Sequence, residues 1–480
     1  QGIEQRFPKP CVGCSNHLRA TYVFSRRLMT ANSSAHDAFV AELRAALQPT
    51  EIIADPEIIA SFTTDWTGRF VGEASLVLRP QSTESLSNAL AIANSHGVHV
   101  QIQGGNTGLV GGSVPPSTST SDLVVITTSG LDNFQELDDL AGTIVVSAGT
   151  TLGQAQQHAR ARGWDIGVDI AARDNATIGG MVATNAGGIR VCAFGMMRQN
   201  VTGLEVVLPD GTVLSNLTKP IKNNTGFNIL DLVIGSEGTL AVVTKVRLRL
   251  IRPIQHSQLI FIPLPSMASA VEITRLIQQS RATLLAAEVV DNATLDLIYD
   301  IGGLRKLWPI TPSIALLLEV DVVPDSIDLP TESLFADTPV DKATLWQYRE
   351  HASDCWTQSG QVHKLDVSVD PSSVGVFADE VSELLSKHSE VSNSGFFGHI
   401  ADGNLHIEFT GPQPSDFVID ELLLELVARH GGSISAEHGI GRAKSTYLHL
   451  AHDSTTIATM RNLKALLDPN NTLNPGVLFG

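Results

Sequence analysis

Two histidines and one glutamate are the residues whose types and spacing point most directly to chemistry. His399 and His406 flank Asp402-Gly403, a dipeptide typical of a two-residue type I′ hairpin turn. Counting outward from that turn pairs His399 with His406, so the two imidazoles are predicted to be cross-strand neighbours on one face. With Glu437 they would supply two nitrogens and one carboxylate oxygen, the ligand composition of an open catalytic Zn²⁺ site. The alternative is a pair of ordinary surface or core histidines.

His438 follows the third proposed ligand directly and is the best candidate for a general base. An unperturbed imidazole has a pKa of about 6.5 and accepts a proton at neutral pH. The alternative is a histidine that caps a helix before Gly439.

A second group of residues could bind an anion. Arg349 and Ser353 lie four residues apart in a stretch, 344–356, with a helical pattern, so they would share a helix face. Lys364 projects from the strand predicted at 362–369. Arginine suits bidentate carboxylate binding and lysine supplies a point charge. The alternative is a set of structural ion pairs, in which the acidic partners would be Glu350, Asp354 and Asp366.

Two glycine-rich stretches must position a flat or phosphate-bearing ligand if these residues are catalytic. Residues 104–113 contain five glycines and follow a strand predicted at 98–103, so successive backbone N–H groups could curl around an anion. Residues 177–188 are rich in small side chains. Neither G-x-G-x-x-G nor G-x-x-x-x-G-K-[ST] occurs, which excludes a Rossmann turn and a P-loop. A mobile surface loop and plain tight packing are the alternatives.

The remaining pattern predicts two α+β regions. Ser82 should cap a helix that ends at Gly97, and the first region should close near 252–253 after strands at 201–208, 212–214 and 240–250. The middle region should contain a strand at 258–263, a helix at 268–279 capped by Ser266 and a strand at 313–323. Residues 324–338 read as an exposed connection.

The totals exclude several classes of protein. The 480 residues are 43% hydrophobic and 17% charged, an ordinary globular composition that predicts two or three domains. The net charge of -18 argues against nucleic acid as a partner, and no apolar run is long enough to span a bilayer. Only Cys11 and Cys14 are close among four cysteines, which favours a reducing compartment, and their C-x-x-C spacing is best explained by chance. The basic leader before Met29 reads as an appended segment or, alternatively, as a transit peptide.

These motifs together resemble one family. The two glycine-rich stretches, Lys222-x-x-x-Gly226-Phe227, residues 234–239, the histidine hairpin, Glu437-His438-Gly439 and Asn474-Pro475-Gly476 are similar to motifs of FAD-dependent D-2-hydroxyacid dehydrogenases. That family belongs to the vanillyl-alcohol oxidase and p-cresol methylhydroxylase superfamily, and the resemblance covers about residues 50–480. It implies an α+β fold with a p-cresol methylhydroxylase-type FAD-binding domain at 36–255 after a disordered tail (1–35). An α/β substrate-binding cap would span 256–430, and a segment at 431–480 would return to the FAD domain.

The resemblance also implies which residues would contact FAD. Some relatives attach the flavin to a histidine in the first glycine-rich loop, where this chain has Asn106 and Thr107, so dissociable FAD is expected. Asn175 replaces a serine that is commoner in relatives. The implied FAD residues are Pro80, Gly104, Gly105, Asn106, Thr107, Gly108, Gly112, Ser113, Asn175, Thr177, Gly180, Thr184, Asn185, Gly188, Glu237, Gly238 and Asn474.

Within the family the chain is most similar to D-2-hydroxyglutarate dehydrogenases. In those enzymes residues matching Arg349, Ser353 and Lys364 hold the distal carboxylate, with threonine in place of Ser353, while Glu408 stands where they tend to have asparagine. The resemblance therefore implies oxidation of D-2-hydroxyglutarate to 2-oxoglutarate. The metal would bind the α-hydroxyl and α-carboxylate, His438 would take the proton, and hydride would pass to flavin N5.

The same residues also fit two other functions. D-lactate is the second candidate substrate, and a non-catalytic flavin- or metal-binding protein is the candidate from another class. The resemblance implies an electron acceptor such as an electron-transfer flavoprotein or a quinone. A homodimer is expected only as the commonest oligomer. The expected location is the cytoplasm, or the mitochondrial matrix if the leader is a transit peptide.

Overall fold

The computed structural model describes residues 33–117, 123–132, 134–218, 220 and 222–480, and Cys11 and Cys14 lie outside these residues. The strands, numbered in chain order, are β1 (Ile52–Ile53), β2 (Leu76–Leu78), β3 (His99–Gln103), β4 (Leu123–Thr127), β5 (Phe134–Asp138), β6 (Thr143–Ser147), β7 (Val201–Val207), β8 (Val213–Ser215), β9 (Val242–Arg249), β10 (Gln258–Leu264), β11 (Leu284–Asp291), β12 (Ile314–Val320), β13 (Leu334–Ala336), β14 (Val362–Ser368), β15 (Asn393–His399) and β16 (Asn404–Thr410). The helices are α1 (Ser33–Ala46), α2 (Pro56–Thr63), α3 (Thr83–Ser95), α4 (Leu152–Arg160), α5 (Ile178–Thr184), α6 (Val191–Phe194), α7 (Met197–Asn200), α8 (Met267–Gln279), α9 (Asn292–Asp300), α10 (Pro339–Glu350), α11 (Ala352–Gln358), α12 (Val374–Ser386), α13 (Val418–Arg429), α14 (Leu448–Ala451) and α15 (Ser454–Leu467).

The first half of the chain folds into two sheets around a common apolar core. One has the order β1-β2-β4-β3, with β2 and β3 both parallel to β4, and the other is antiparallel in the order β5-β6-β9-β7-β8. The predicted capping of α3 is confirmed, because Ser82 Oγ accepts the Ser85 N–H at 3.0 Å. Every residue of β4 is buried, as its unbroken apolar run requires in a parallel sheet covered on both faces.

The middle of the chain forms a seven-stranded antiparallel sheet in the order β13-β10-β12-β11-β15-β16-β14. Alternate residues of β12 enter two different cores. Leu316 and Leu318 pack in the core that contains residues of α8 and α12, whereas Ala315 and Leu317 pack in the core that contains residues of α9, α10 and α11. Every residue of the central strands β11 and β12 is buried, so a polar side chain there needs a partner.

Two local predictions are wrong. The helix expected over 344–356 is divided between α10 and α11, with His351 as C-cap of the first and N-cap of the second. The stretch 324–338 is not simply a connection, because β13 within it is the edge strand that pairs with β10. No glycine or proline lies within 344–356 to mark the break between the two helices.

The C-terminal residues return to the first half. Leu473 bridges to Val100 in parallel, and the Asn474 N–H donates to the Val100 carbonyl at 2.8 Å. Leu473 is fully buried within the core of the first half. No helix in the described part of the chain combines the length and apolar character that a bilayer crossing requires.

Candidate functional site

The histidine hairpin forms with a register different from the predicted one. His399 lies opposite Asn404 and His406 lies opposite Phe397, so the prediction that the two histidines are directly opposed is wrong. The connection has four residues, 400–403, and the Ile400 N–H donates to the Ala287 carbonyl on β11 at 3.0 Å. A shift of two residues keeps side chains on the same face. The two imidazole centroids are accordingly 5.8 Å apart.

Glu437 completes a three-residue cluster with the two histidines. One ligand atom from each of His399, His406 and Glu437 lies within 4.8 Å of the others. His399 Nε2 is 3.3 Å from Glu437 Oε1. Two ligands about 2.1 Å from a tetrahedral ion are about 3.4 Å apart. The donor set and this spacing therefore fit a divalent cation.

Glu288 lies behind this cluster and was not identified from the sequence. Its side chain is fully buried, with Oε1 2.5 Å from His399 Nδ1 and Oε2 2.6 Å from Arg349 Nε. Arg349 therefore does not pair with Glu350 or Asp354. The only sequence signal was a glutamate within β11, a strand that is otherwise apolar up to its last residue, Asp291.

Asp366 is a second buried carboxylate that sequence reasoning assigned wrongly. It does not pair with Lys364; its Oδ2 accepts the N–H groups of Glu437 and His438 at 2.9 and 3.1 Å. The same oxygen is 3.4 Å from His438 Nδ1, and Oδ1 is 3.9 Å from His406 Nδ1. Burial alone would raise the pKa of Asp366, but His438, His406 and Lys444 hold it well below its usual range. Asp366 is therefore a fixed negative charge beneath the histidines.

The electrostatics of the cluster reflect burial and close acidic partners. Burial would lower the pKa of His399, but Glu288 and Glu437 raise it well above its usual value. Burial lowers the pKa of His406 to about 3. Burial would raise the pKa of Glu437, but the neighbouring histidines lower it to about 2. Glu437 is therefore a carboxylate, and His406 a neutral imidazole, at neutral pH.

His438 lies in an irregular loop, so the alternative that it caps a helix is wrong. Its side chain is 28% exposed, and its ring centroid is 6.3 Å from that of His406. Of the four residues in and beside the cluster, it is the most open to solvent.

The predicted anion-binding residues face the same side of the sheet as the cluster. The Arg349 guanidinium lies 4.8 Å from the centre of the Phe397 ring, which is 4.9 Å from that of His406. Lys364 Nζ donates to Ser353 Oγ and to Thr357 Oγ1, both at 2.9 Å. Because α10 ends before Ser353, Arg349 and Ser353 belong to different helices, and the predicted common helix face is wrong.

Glu408 lies beside Lys364 rather than apart from the pocket. The two are opposite each other in β16 and β14, with Oε2 3.5 Å from Lys364 Nζ. Glu408 is 2% exposed, and Oε2 has no hydrogen-bond partner among the described residues. Burial raises the pKa of Glu408 to about 8.

The first glycine-rich loop offers unused hydrogen-bond donors. None of the described residues accepts a hydrogen bond from the backbone N–H groups of 104–109. Asn106 adopts a positive φ of 53° and is held by Ser113, whose Oγ donates to Asn106 Oδ1 at 2.7 Å. A Cβ added to Gly105 would lie 1.9 Å from the Asn175 carbonyl oxygen, so only glycine fits there. This arrangement leaves a row of N–H groups that could hold an anion.

The second glycine-rich stretch packs against the first. Thr177 caps α5, and a Cβ on Gly104 would lie 2.6 Å from Thr177 Oγ1 and 3.4 Å from Gly180 Cα. Thr184 Oγ1 donates to the Gly180 carbonyl, and Asn185 ends the helix in the left-handed region. Two further predicted residues lie elsewhere in the first half: Pro80 packs its carbonyl against Gly130, and Gly188 lies against Asp169.

Glu237 joins the first loop to the segment that carries Glu437 and His438. Its carboxylate accepts the N–H groups of Ile440 and Gly441 at 2.8 and 2.7 Å, and Oε2 would be 3.6 Å from a Cβ on Gly112. Asn474 Nδ2 donates to the Glu237 carbonyl at 2.7 Å, and a Cβ on Gly238 would meet the same amide. His438 and Ile440 are two residues apart, a span of about 7 Å at most. The metal-type cluster and the glycine-rich loop are therefore parts of one site.

Two protein families match this chain. Residues 74–216 match the FAD binding domain family, and residues 254–478 match the family of FAD linked oxidases, C-terminal domain. The mitochondrial D-2-hydroxyglutarate dehydrogenase of Danio rerio is 33% identical over 452 residues, which cover 90% of this chain and 83% of that protein. A Schizosaccharomyces pombe protein with the provisional name mitochondrial D-lactate dehydrogenase is 30% identical and covers 88% of this chain and 85% of its own length.

A solved structure shows the same fold. Alkyldihydroxyacetonephosphate synthase superposes with a TM-score of 0.70 at 17% identity, covering 92% of this chain and 84% of that chain. The predicted α+β fold with a p-cresol methylhydroxylase-type FAD-binding unit is confirmed. So are the predicted dependence on FAD and the predicted oxidation of a D-2-hydroxy acid. The chain belongs to the family of FAD-dependent D-2-hydroxyacid dehydrogenases.

Proposed function

We propose that this enzyme oxidises D-2-hydroxyglutarate to 2-oxoglutarate with a divalent cation, Zn²⁺, and His438 as general base. The observation that carries the proposal is the segment 437–441. At one end of this segment, Glu437 lies 3.3 Å from His399. At the other end, the backbone N–H groups of Ile440 and Gly441 donate to the Glu237 carboxylate, beside the glycine-rich loop. The substrate carbon can therefore lie between the cluster and the flavin.

His399, His406 and Glu437 would hold the cation. Glu288 accepts from His399 Nδ1, which leaves Nε2 facing Glu437 and available as a ligand. A bound Zn²⁺ would polarise the α-hydroxyl and lower its pKa. The Asp366 carboxylate fixes the backbone of both Glu437 and His438, so ligand and base keep a constant separation.

His438 would accept the hydroxyl proton. Its Nδ1 faces Asp366, so a proton held there leaves Nε2 as the acceptor, and Asp366 stabilises the imidazolium that forms. FAD, when bound, would supply the acceptor for the hydride of the α-carbon. The N–H groups of 104–109 would bind its diphosphate. Asn106 and Thr107 offer no imidazole for a covalent link, so the flavin should be dissociable. The other predicted FAD residues remain proposals of the same kind.

Arg349, Ser353 and Lys364 support a dicarboxylic substrate. Arg349 lies next to Phe397 and His406, so its guanidinium can reach a group bound at the cluster, while Lys364 and Ser353 form a second donor pair. Several relatives bear the name D-2-hydroxyglutarate dehydrogenase. Glu408 would lie against the distal carboxylate, and the high pKa that burial gives it reduces the repulsion.

D-lactate is the second candidate, supported by the Schizosaccharomyces pombe relative and by the two acidic partners of the basic residues. Anaerobic titration of the purified yellow protein with each acid tests both, together with metal analysis. Bleaching of the flavin band by D-2-hydroxyglutarate at lower concentration than by D-lactate is expected, with about one bound divalent cation per chain. A protein that stays yellow with every D-2-hydroxy acid would instead be a flavin carrier.

The setting of the reaction is also a proposal. Electrons would pass to an electron-transfer flavoprotein or a quinone, and a homodimer is the expected assembly. The mitochondrial names of the plant and animal relatives support the matrix as the location.

A further inference from the structure

Glu288 makes contact with both halves of the proposed site. One oxygen lies 2.5 Å from Nδ1 of His399, a proposed metal ligand, and the other lies 2.6 Å from Nε of Arg349, a proposed substrate ligand. The side chain is fully buried, and both oxygens are occupied by these two contacts. No other described carboxylate touches a proposed metal ligand and a proposed substrate ligand at once.

The position of Glu288 leaves it little freedom to move. It lies within β11, directly opposite His399 on β15 and opposite Leu317 on β12, so ladders on both sides fix its backbone. Its neighbours Ala287 and Val289 are buried on the other face. A carboxylate held in this way sets the orientation of whatever it binds.

We propose that Glu288 is a positioning residue that couples the cation site to the binding of substrate by Arg349; this inference rests on the proposed function. By accepting from His399 Nδ1, Glu288 fixes the ring orientation in which Nε2 is the nitrogen offered to the cation. By accepting from Arg349 Nε, it holds the guanidinium over Phe397, with the terminal nitrogens left for a carboxylate. One side chain therefore prepares both ends of the substrate site.

A glutamine at position 288 cannot serve both partners. If its carbonyl oxygen faces His399, its amide N–H groups oppose the Arg349 donor. If the oxygen faces Arg349, the amide donates to His399 Nδ1, and the proton moves to Nε2, where it competes with the cation. In either orientation one partner loses its acceptor, and both His399 and Arg349 lose the negative charge between them.

Glu319 provides a matched control on the adjacent strand. It is also buried in the sheet, pairs with Arg190 at 2.8 Å and accepts from Ser257 Oγ at 2.6 Å. Neither of these partners belongs to the cluster or to the anion pocket. Glu319→Gln therefore removes a buried carboxylate from the same sheet without touching His399 or Arg349.

The test measures cation affinity directly in flavin-loaded protein stripped of metal. Zn²⁺ is titrated against a competing chelator in the wild type, Glu288→Gln, Glu319→Gln and Glu288→Asp, and the KM values for D-2-hydroxyglutarate and D-lactate are compared. Glu288→Gln should weaken Zn²⁺ binding by about 10- to 100-fold. It should also raise the KM for D-2-hydroxyglutarate more than that for D-lactate. Glu319→Gln should stay within about twofold of the wild type in Zn²⁺ affinity, and Glu288→Asp should lie between.

The outcomes separate the inference from the proposed function. Equal Zn²⁺ affinities in Glu288→Gln and Glu319→Gln, with a wild type that binds the ion, overturn the coupling role alone. A wild type that binds no divalent cation overturns the proposed metal mechanism and this inference together. If Glu288→Gln does not fold, the Zn²⁺ affinity of Glu288→Asp, which is shorter but still acidic, is compared with that of the wild type. An unchanged affinity in Glu288→Asp would then overturn the coupling role.

Discussion

Nδ1 of His438 lies 3.4 Å from Oδ2 of Asp366, and the His438 backbone N–H donates to the same oxygen. One carboxylate thus orients both the imidazole and the chain that carries it. The neighbouring His438, His406 and Lys444 hold the pKa of Asp366 well below its usual range, so Asp366 remains charged when His438 takes up a proton. This pair gives His438 the properties of a base that is fixed in place before substrate arrives.

His438→Ala should slow flavin reduction by about 10²- to 10⁴-fold, because proton removal would fall to water. FAD should remain bound, since the glycine-rich loop is untouched. Stopped-flow reduction by D-2-hydroxyglutarate measures the rate, and the flavin absorbance confirms the cofactor. The control is His449→Ala, which removes an exposed histidine that follows His438 in the chain. A reduction rate in His438→Ala equal to that of the control would remove His438 from the reaction.

Gly105→Ala should weaken FAD binding by about tenfold or more, because its Cβ would meet the Asn175 carbonyl oxygen at 1.9 Å and displace the loop. Gly375→Ala, in α12 and outside the proposed FAD residues, is the control, since a Cβ there comes no closer than 3.3 Å to another atom and its φ is not positive. The FAD dissociation constant is measured by quenching of flavin fluorescence on titration into the apoprotein. Equal affinities in the two variants would contradict the role assigned to residues 104–109.

The sequence predicted the metal-type cluster although its register was wrong. A hairpin register can shift by two residues without moving His399 and His406 to opposite faces, because side chains alternate between faces with a period of two. The prediction that they share a face therefore did not require the correct turn. Glu437 and His438 were identified because they stand together. Glu288 and Asp366 could not be placed, since strands β11 and β14 bring them to the histidines from distant parts of the chain.

The helix break at His351 shows the other kind of limit. Residues 344–356 have helical periodicity throughout, and the break depends on how α10 and α11 pack on the sheet. Local propensity carries no information about that packing. The predicted common helix face of Arg349 and Ser353 is wrong for this reason, although both residues still lie at the pocket.

Asp291 should make stability depend on pH. Burial raises its pKa to about 6, although Thr294 donates to its side chain at the start of α9. Between about pH 4 and pH 6 the folded state therefore holds a proton that the unfolded state has released, so stability falls as pH rises through this window. The loss is at most about 3 kcal/mol for a shift of about two pKa units.

Asp291→Asn should remove that dependence while keeping a good N-cap residue. The urea midpoint should decrease from pH 4.5 to pH 7.5, and the decrease should be smaller in this variant than in the wild type. Asp453→Asn, which caps α15 from an exposed position, controls for the loss of a charged cap. If the urea midpoint of the wild type decreases between these pH values by no more than that of Asp291→Asn, the Asp291 carboxyl group does not contribute to the pH dependence of stability.

Lys364→Met tests whether the pocket recognises a second carboxylate. Lys364 Nζ donates to Ser353 and Thr357 and lies 3.5 Å from Glu408, so it is the cation that would meet the distal end of D-2-hydroxyglutarate. A hydrogen bond to a charged group contributes about 1.5 to 3 kcal/mol, and kcat/KM for D-2-hydroxyglutarate should fall by about 10- to 100-fold. D-lactate has no distal carboxylate, and its kcat/KM should change by less than about threefold.

Two further variants separate recognition from damage to the fold. Lys342→Met removes a lysine of α10 whose Nζ binds Ser257 away from the pocket, and it should leave both substrates unaffected. The double variant Lys364→Met/Glu408→Gln removes the acidic partner as well, so that no unpaired carboxylate remains buried. It should regain D-lactate activity if Lys364→Met has lost any, while D-2-hydroxyglutarate stays impaired. Equal losses for the two substrates in Lys364→Met would place the distal carboxylate elsewhere and favour D-lactate as the substrate.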